Sequence, residues 1–124
     1  MAEKSKKILL IEDEEMIRSM YSVKLEQDGF EVATAKDGLE GLEKMEDGDF
    51  DLVLLDIIMP QVDGFSVLEK IKSKKEKKDI PVLMLTNLST EEDRKKGKEL
   101  GASGYLVKSL ITPSQMSKEI LKYL

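Results

Sequence analysis

Three acidic side chains in this sequence stand at the ends of apolar runs. Glu12 and Asp13 follow Ile8-Leu9-Leu10-Ile11, and Asp56 follows Leu52-Val53-Leu54-Leu55. A charge at the mouth of a buried strand is expensive unless something uses it. A hydroxyl, Thr86, ends the run from Pro81 to Leu85, and an ammonium, Lys108, follows Tyr105-Leu106-Val107. Three carboxylates, one hydroxyl and one ammonium are the components of a phosphoryl-accepting metal site. Crowded carboxylates repel and raise the pKa of at least one of their number. A divalent cation removes that repulsion, and hard oxygen donors suit Mg²⁺. One carboxylate can then attack phosphorus to give an acyl phosphate. Lys108 and Thr86 would each take an oxygen of the transferred group, neutralising charge as it moves. Asp56 stands alone on its strand and is the expected nucleophile. The neighbours Glu12 and Asp13 are better placed to share the metal.

These groups meet only if the chain brings strand ends together. Five short apolar runs recur at intervals of roughly 20–30 residues: Ile8 to Ile11, Phe30 to Ala33, Leu52 to Leu55, Pro81 to Leu85 and Tyr105 to Val107. Runs that are continuous rather than alternating predict strands covered on both faces, hence a parallel sheet. Segments with helical spacing lie between them, carrying Ile17, Met20, Tyr21 and Leu25, then Leu39, Leu42 and Met45, then Phe65, Val67, Leu68 and Ile71. Met116, Ile120 and Leu124 mark a last helix. Asp37 before Glu40, Ser89 before Glu92, and Thr112-Pro113 with Gln115 are start signals, and Gly29 and Gly48 are stop signals. The fourth helical segment, Glu91 to Glu99, is almost wholly polar and contains Gly97, so it is expected to be loosely held. The lysine-rich stretch from Lys72 to Lys78 reads as a solvated helix end and loop. Alternating strands and helices predict a doubly wound α/β domain with right-handed crossovers and helices on both faces. In such sheets ligands bind beyond the carboxyl ends of the strands, where all five candidate groups fall.

Length and composition are consistent with this. The 124 residues are read as one domain, 1–124, with residues 1–6 as a flexible N-terminus and no room for a second domain. With 25 Asp and Glu against 20 Lys and Arg, the net charge of -5 and the lack of a basic stripe argue against direct nucleic-acid binding. Cysteine is absent, which excludes thiolate metal sites and disulfides. No apolar signal segment or membrane-length stretch occurs, and the expected location is cytoplasmic, away from membranes. Histidine is also absent, so imidazole chemistry must come from another molecule.

Four motifs in order resemble the receiver domain of two-component response regulators, single-domain chemotaxis-regulator-like. They are Leu10-Ile11-Glu12-Asp13-Glu14, Leu55-Asp56-Ile57-Ile58-Met59-Pro60 with Asp63-Gly64, Leu83-Met84-Leu85-Thr86, and Gly101-Ala102-Ser103-Gly104-Tyr105-Leu106-Val107-Lys108. The resemblance covers essentially the whole chain. It implies a flavodoxin-like five-stranded parallel sheet in order 2-1-3-4-5. It implies that Asp56 accepts phosphate from a sensor histidine kinase or histidine phosphotransfer protein. Mg²⁺ would be held by Glu12, Asp13, Asp56 and the backbone carbonyl of Ile58. Thr86 and Lys108 would bind the phosphoryl group, gaining a partner they lack at rest, and Tyr105 would follow Thr86 inward. The fourth helix, fifth strand and fifth helix would form the changing face that controls a downstream protein target. Ile58 and Leu88 occupy positions that tune phosphate lifetime, and their apolar character predicts slow spontaneous dephosphorylation.

Two residues depart from the family pattern. Ser109 follows Lys108 where the family usually has a cis proline, so either the bond is trans or a costly cis bond persists. Asn87 follows Thr86 where a small residue is usual, narrowing access to the phosphoryl site. An alternative is a phosphorylation-independent interaction module that keeps the fold and one constitutive docking face. A flavin-binding carrier is disfavoured because Glu12-Asp13-Glu14-Glu15 would repel a phosphate after strand one. An aspartyl phosphatase is disfavoured because Ile58 stands where a second acid is usual.

Overall fold

A computed structural model of the chain describes residues 5–87 and 90–124. Residues 1–4 of the expected flexible terminus, together with Leu88 and Ser89, lie outside the described residues. Strand β1 (Lys7–Ile11), helix α1 (Glu15–Gln27), β2 (Glu31–Ala35), α2 (Gly38–Asp47), β3 (Leu52–Asp56) and α3 (Gly64–Ser73) alternate along the first half. Then come β4 (Val82–Thr86), α4 (Glu91–Glu99), β5 (Gly104–Val107), a 3-10 turn (Lys108–Leu110), α5 (Pro113–Ile120) and a closing 3-10 turn (Leu121–Tyr123). The five strands form one parallel sheet in the order β2-β1-β3-β4-β5. This is the doubly wound, flavodoxin-like arrangement that the motifs implied.

The continuous apolar runs are explained by burial on both sides. Every residue of β3 and β4 is buried, as are Ile8 to Ile11 of β1. Alternate residues feed two cores. One holds Leu9, Val53, Leu55 and Met84 under α2 and α3, and the other holds Ile8, Leu10, Leu54 and Leu85 under α1 and α5.

Local signals set the element ends. Asp37 caps α2 by accepting from Glu40 N, and Asp63 caps α3 by accepting from Ser66 N. Thr112 and Gln115 form a reciprocal capping box behind Pro113. Gly29 closes α1 at φ 97°, a conformation that favours glycine. Gly48 ends α2 with extended backbone, and its missing side chain makes room for the Phe50 ring, 2.8 Å from where a Cβ would lie. Strand β2 starts one residue later than the apolar pattern and runs on to Ala35. Phe30 N closes the α1 turn by donating to Leu25 O, while Thr34 and Ala35 pair with Leu10 and Ile11. Strand β4 begins at Val82 because Pro81 has no N–H; its carbonyl still accepts from Val53 N.

Other expectations need correction. Met20 and Leu39, read as core residues, are about half exposed. The fifth helix stops at Ile120 and continues as a 3-10 turn. Helix α4 is capped by Thr90, whose side chain accepts from Asp93 N. The lysine-rich stretch is not simply solvated. Lys72 Nζ donates to the carbonyls of Lys78 (2.9 Å) and Ile80 (2.6 Å), and burial lowers its pKa. Lys77 donates to Gly48 O at 2.9 Å. These amines satisfy carbonyls of two loops at the N-terminal edge of the sheet, opposite the acidic end.

Candidate functional site

The carboxyl ends of β1, β3, β4 and β5 deliver Glu12, Asp13, Asp56, Thr86 and Lys108 to one place. A cleft of about 190 Å³ is lined by Asp13, Glu14, Asp56, Ile58, Thr86, Asn87 and Lys108. Glu12 lies beneath it, wholly buried, and Asp56 and Thr86 are 4% and 2% exposed. One carboxylate oxygen from each of Glu12, Asp13 and Asp56 lies within 4.8 Å of the others.

Lys108 bridges two of these carboxylates. Its ammonium donates a hydrogen bond to Glu12 Oε1 and stands 3.1 Å from Asp56 Oδ2. Lys108 therefore already has two carboxylate partners, contrary to the expectation that it lacks a partner until phosphate arrives. Thr86 likewise is not free of interactions. A buried carboxylate cannot stay charged without a counter-charge, and among the described residues Lys108 supplies it. The bond to Ser109 is trans, since no cis peptide occurs among the described residues. Lys108 reaches its partners from the first residue of a 3-10 turn, so proline is not needed to aim it.

The electrostatics follow from this packing. Burial, then the adjacent carboxyl of Glu12, pushes Asp56 up to about 8, although Lys108 pulls it the other way. Burial alone would lower Lys108, but its hydrogen bond to Glu12 and the charges of Asp56 and Glu12 outweigh that and raise it. Among the described residues, Glu12 Oε2 is buried with no hydrogen-bond partner. An orphaned carboxylate oxygen costs free energy unless another group satisfies it. With three converging carboxylates and no sulfur or nitrogen donor, the set fits a hard divalent cation such as Mg²⁺.

Two supporting residues were missed in the sequence. Arg18, one turn into α1, donates through Nη1 to the carbonyls of Glu12 (2.8 Å) and Asp13 (3.4 Å), pinning the loop that carries both acids. Its spacing from Asp13 was a usable signal, because side chains in a first helical turn can fold back on the preceding loop. Gly64 was noticed only as part of a motif. A Cβ there would lie 2.2 Å from Asp56 O and 2.7 Å from Ile57 Cα, so no side chain fits. Its N–H donates to Ile57 O at 2.7 Å, folding the β3–α3 loop back over the strand end. That loop exposes Ile58 (72%) at the cleft rim.

Tyr105 is half-buried and turned toward α4. Its hydroxyl donates to Asp93 O, and its ring lies against Gly97. Leu88, the other residue assigned to phosphate lifetime, lies outside the described residues.

The chain is similar to known proteins in sequence and fold. The family model of the response regulator receiver domain matches residues 8–121. The chain superposes on the chemotaxis protein CheY4 of Vibrio cholerae with a TM-score of 0.94 and 36% identity, covering 98% of this chain and 100% of that one. A CheY-like receiver domain protein of Methanospirillum hungatei gives 0.89 at 30% identity, covering 96% of this chain and 93% of the other. Among curated proteins, the alkaline phosphatase synthesis transcriptional regulatory protein PhoP of Bacillus subtilis is 41% identical over 84% of this chain and 42% of its own length. The transcriptional regulatory protein CusR of Escherichia coli is 42% identical over 82% and 44%. The chain thus spans less than half the length of these two regulators. The matched model runs from β1 through α5, and the acidic cleft lies where its strands end, so the chain belongs to the response regulator receiver domain family.

Proposed function

We propose that this chain is a phosphoacceptor receiver, residues 1–124 forming one such domain, that takes a phosphoryl group onto Asp56 and changes its binding surface in response. The convergence of Glu12, Asp13 and Asp56 around the Lys108 ammonium carries the reading. Carboxylates gathered in one cleft with a hydroxyl and an ammonium support a role in phosphoryl chemistry.

Asp56 is the nucleophile. One of its carboxylate oxygens forms a bond to phosphorus as the P–N bond of a phosphohistidine on a partner protein breaks, and the electron pair stays with the imidazole nitrogen. The donor imidazole must come from a sensor kinase or phosphotransfer protein, because this chain has no histidine. Mg²⁺, when held by Glu12, Asp13, Asp56 and the Ile58 carbonyl, supplies charge neutralisation for the carboxylates and the phosphoryl oxygens. Arg18 keeps the Glu12-Asp13 backbone in place for that role.

The product adds close to two negative charges at the end of β3. Lys108 then exchanges its carboxylate partners for the phosphoryl group, and the Thr86 hydroxyl donates to it. Only these differential contacts shift the equilibrium between resting and switched forms. Tyr105 and α4 respond because they adjoin β4 and β5 on the same side of the sheet. The surface of α4, β5 and α5 then presents a different face to a protein target. A groove of about 600 Å³ on it, lined by Tyr105, Leu110, Ile111, Lys118 and Tyr123 among others, offers room for such a partner. The proposed setting is the cytoplasm. No helix of the described residues is long and apolar enough to cross a membrane.

A phosphotransfer assay tests this reading. Radiolabelled phosphohistidine on an isolated kinase or phosphotransfer domain is expected to label the wild type in Mg²⁺ and to leave Asp56→Asn unlabelled. Equal labelling of both proteins, or of neither across a panel of donors, would refute it.

A further inference from the structure

Helix α4 is the most polar helix of the fold, and its single buried residue is Gly97. Glycine weakens a helix interior relative to alanine, so its presence there calls for a packing reason. The reason is the Tyr105 side chain. A Cβ on Gly97 would lie 1.9 Å from the Tyr105 hydroxyl oxygen, 2.8 Å from Cζ and 3.2 Å from Cε2. The ring occupies the space that any larger residue would need.

The same helix holds the ring at two further points. The hydroxyl donates to the carbonyl of Asp93, one turn earlier, and the Arg94 guanidinium lies 5.9 Å from the ring centroid. On the strand side, Tyr105 pairs with Met84, one alternate position from the Thr86–Val107 pair, so Tyr105 and Thr86 share a face of the sheet. Tyr105 therefore spans from the strand that ends in the acidic cleft to the middle of α4.

We infer that Gly97 is the positioning residue for Tyr105: its bare backbone is the seat that keeps the ring against α4 in the resting protein. This rests on the receiver reading above. With the ring seated, α4 gains its buried contact and the Asp93 hydrogen bond. With the ring displaced it loses both, so the helix and the tyrosine move together. A methyl group at position 97 fills the seat and displaces the ring without any phosphoryl group.

The experiment compares wild type, Gly97→Ala, Tyr105→Ala and the double variant, using ring-labelled tyrosine NMR and thermal unfolding. In Gly97→Ala the Tyr105 ring signals are expected to shift in the unphosphorylated protein. Their further change on treatment with acetyl phosphate and Mg²⁺ is expected to shrink at least twofold, while Asp56 is labelled as in wild type. Gly97→Ala is expected to raise the Tm in the Tyr105→Ala background and to lower it or leave it level when Tyr105 is present. If Gly97→Ala alone fails to fold, folding of the double variant supports the seat, and failure of both overturns it. Unchanged ring signals with an equal rise in Tm in both backgrounds also overturn it. Absence of labelling in wild type would count against the receiver reading, whereas the unphosphorylated spectra and the Tm comparison still judge the seat.

Discussion

The Lys108 ammonium stands 3.1 Å from Asp56 Oδ2 while hydrogen-bonded to Glu12, so the cation is shared between two buried carboxylates before any phosphoryl group arrives. On the proposed reading, an incoming phosphoryl group has to compete for it. The switching free energy of the proposed mechanism would then be a difference between two sets of ion pairs, not the gain of a new one.

Replacing Lys108 by methionine removes the cation and leaves two buried acids facing each other. Losing one partner of a buried pair costs about 3–5 kcal/mol; proton uptake by Asp56 makes that an upper limit here. Denaturant unfolding of metal-free Lys108→Met should show a clear loss of stability, and added Mg²⁺ should recover much of it. No change in stability without metal would mean that the pairs contribute nothing at rest.

The pH dependence of the metal-free protein has a definite sign. Asp56 is raised from its ordinary 3.8 to about 8 by burial and the nearby Glu12 carboxyl. A carboxyl with a folded value above its unfolded one contributes stability in full below the unfolded value and loses it as pH rises through the folded one. Metal-free wild type should therefore lose Tm between roughly pH 4 and pH 8 relative to Asp56→Asn, which has no such group. Stabilisation by Mg²⁺ should grow over the same window, because the metal displaces a proton from Asp56. Parallel Tm profiles for the two proteins would contradict this.

At Gly64 a methyl group has no room, because the nearest atoms are backbone atoms of Asp56 and Ile57. Overpacking of this kind costs typically about 1–3 kcal/mol. Gly64→Ala is expected to lose stability in that range and to weaken Mg²⁺ binding by calorimetry, since the end of β3 at Asp56 and the loop carrying Ile58 have to shift. Wild-type metal affinity in the folded variant would show that this loop does not set the site.

Exposed Ile58 at the cleft rim gives an attacking water no orienting partner. The phosphorylated wild type is expected to persist for minutes or longer without a phosphatase. Ile58→Asn is expected to shorten that lifetime severalfold, followed as loss of label. A wild-type half-life of seconds would contradict the apolar-rim argument.

Strand ends were legible because Glu12, Asp56 and Thr86 directly follow runs of buried apolar residues, and burial on both faces leaves such runs few alternatives. The convergence of Glu12, Asp13, Asp56, Thr86 and Lys108 at one end of the sheet could be anticipated from their places at strand ends. What the sequence hid was pairing. Nothing in the spacing of residues 12, 56 and 108 says that the lysine already bridges the two acids, because contacts between distant segments depend on the fold. The surroundings of Gly97 were hidden for a related reason. In a polar helix it reads as slack, but the space beside it is filled by Tyr105, which belongs to the following strand. Lys72 looked solvated because its carbonyl partners lie in a loop with no sequence signature.

The most direct measurement is the intact mass of the protein after treatment with acetyl phosphate and Mg²⁺, with peptide mapping of the adduct. A single base-labile phosphoryl group on Asp56, absent from Asp56→Asn and absent when the metal is chelated, is the predicted result. An unmodified mass under all conditions, or an adduct on another residue, would contradict the phosphoacceptor role of Asp56.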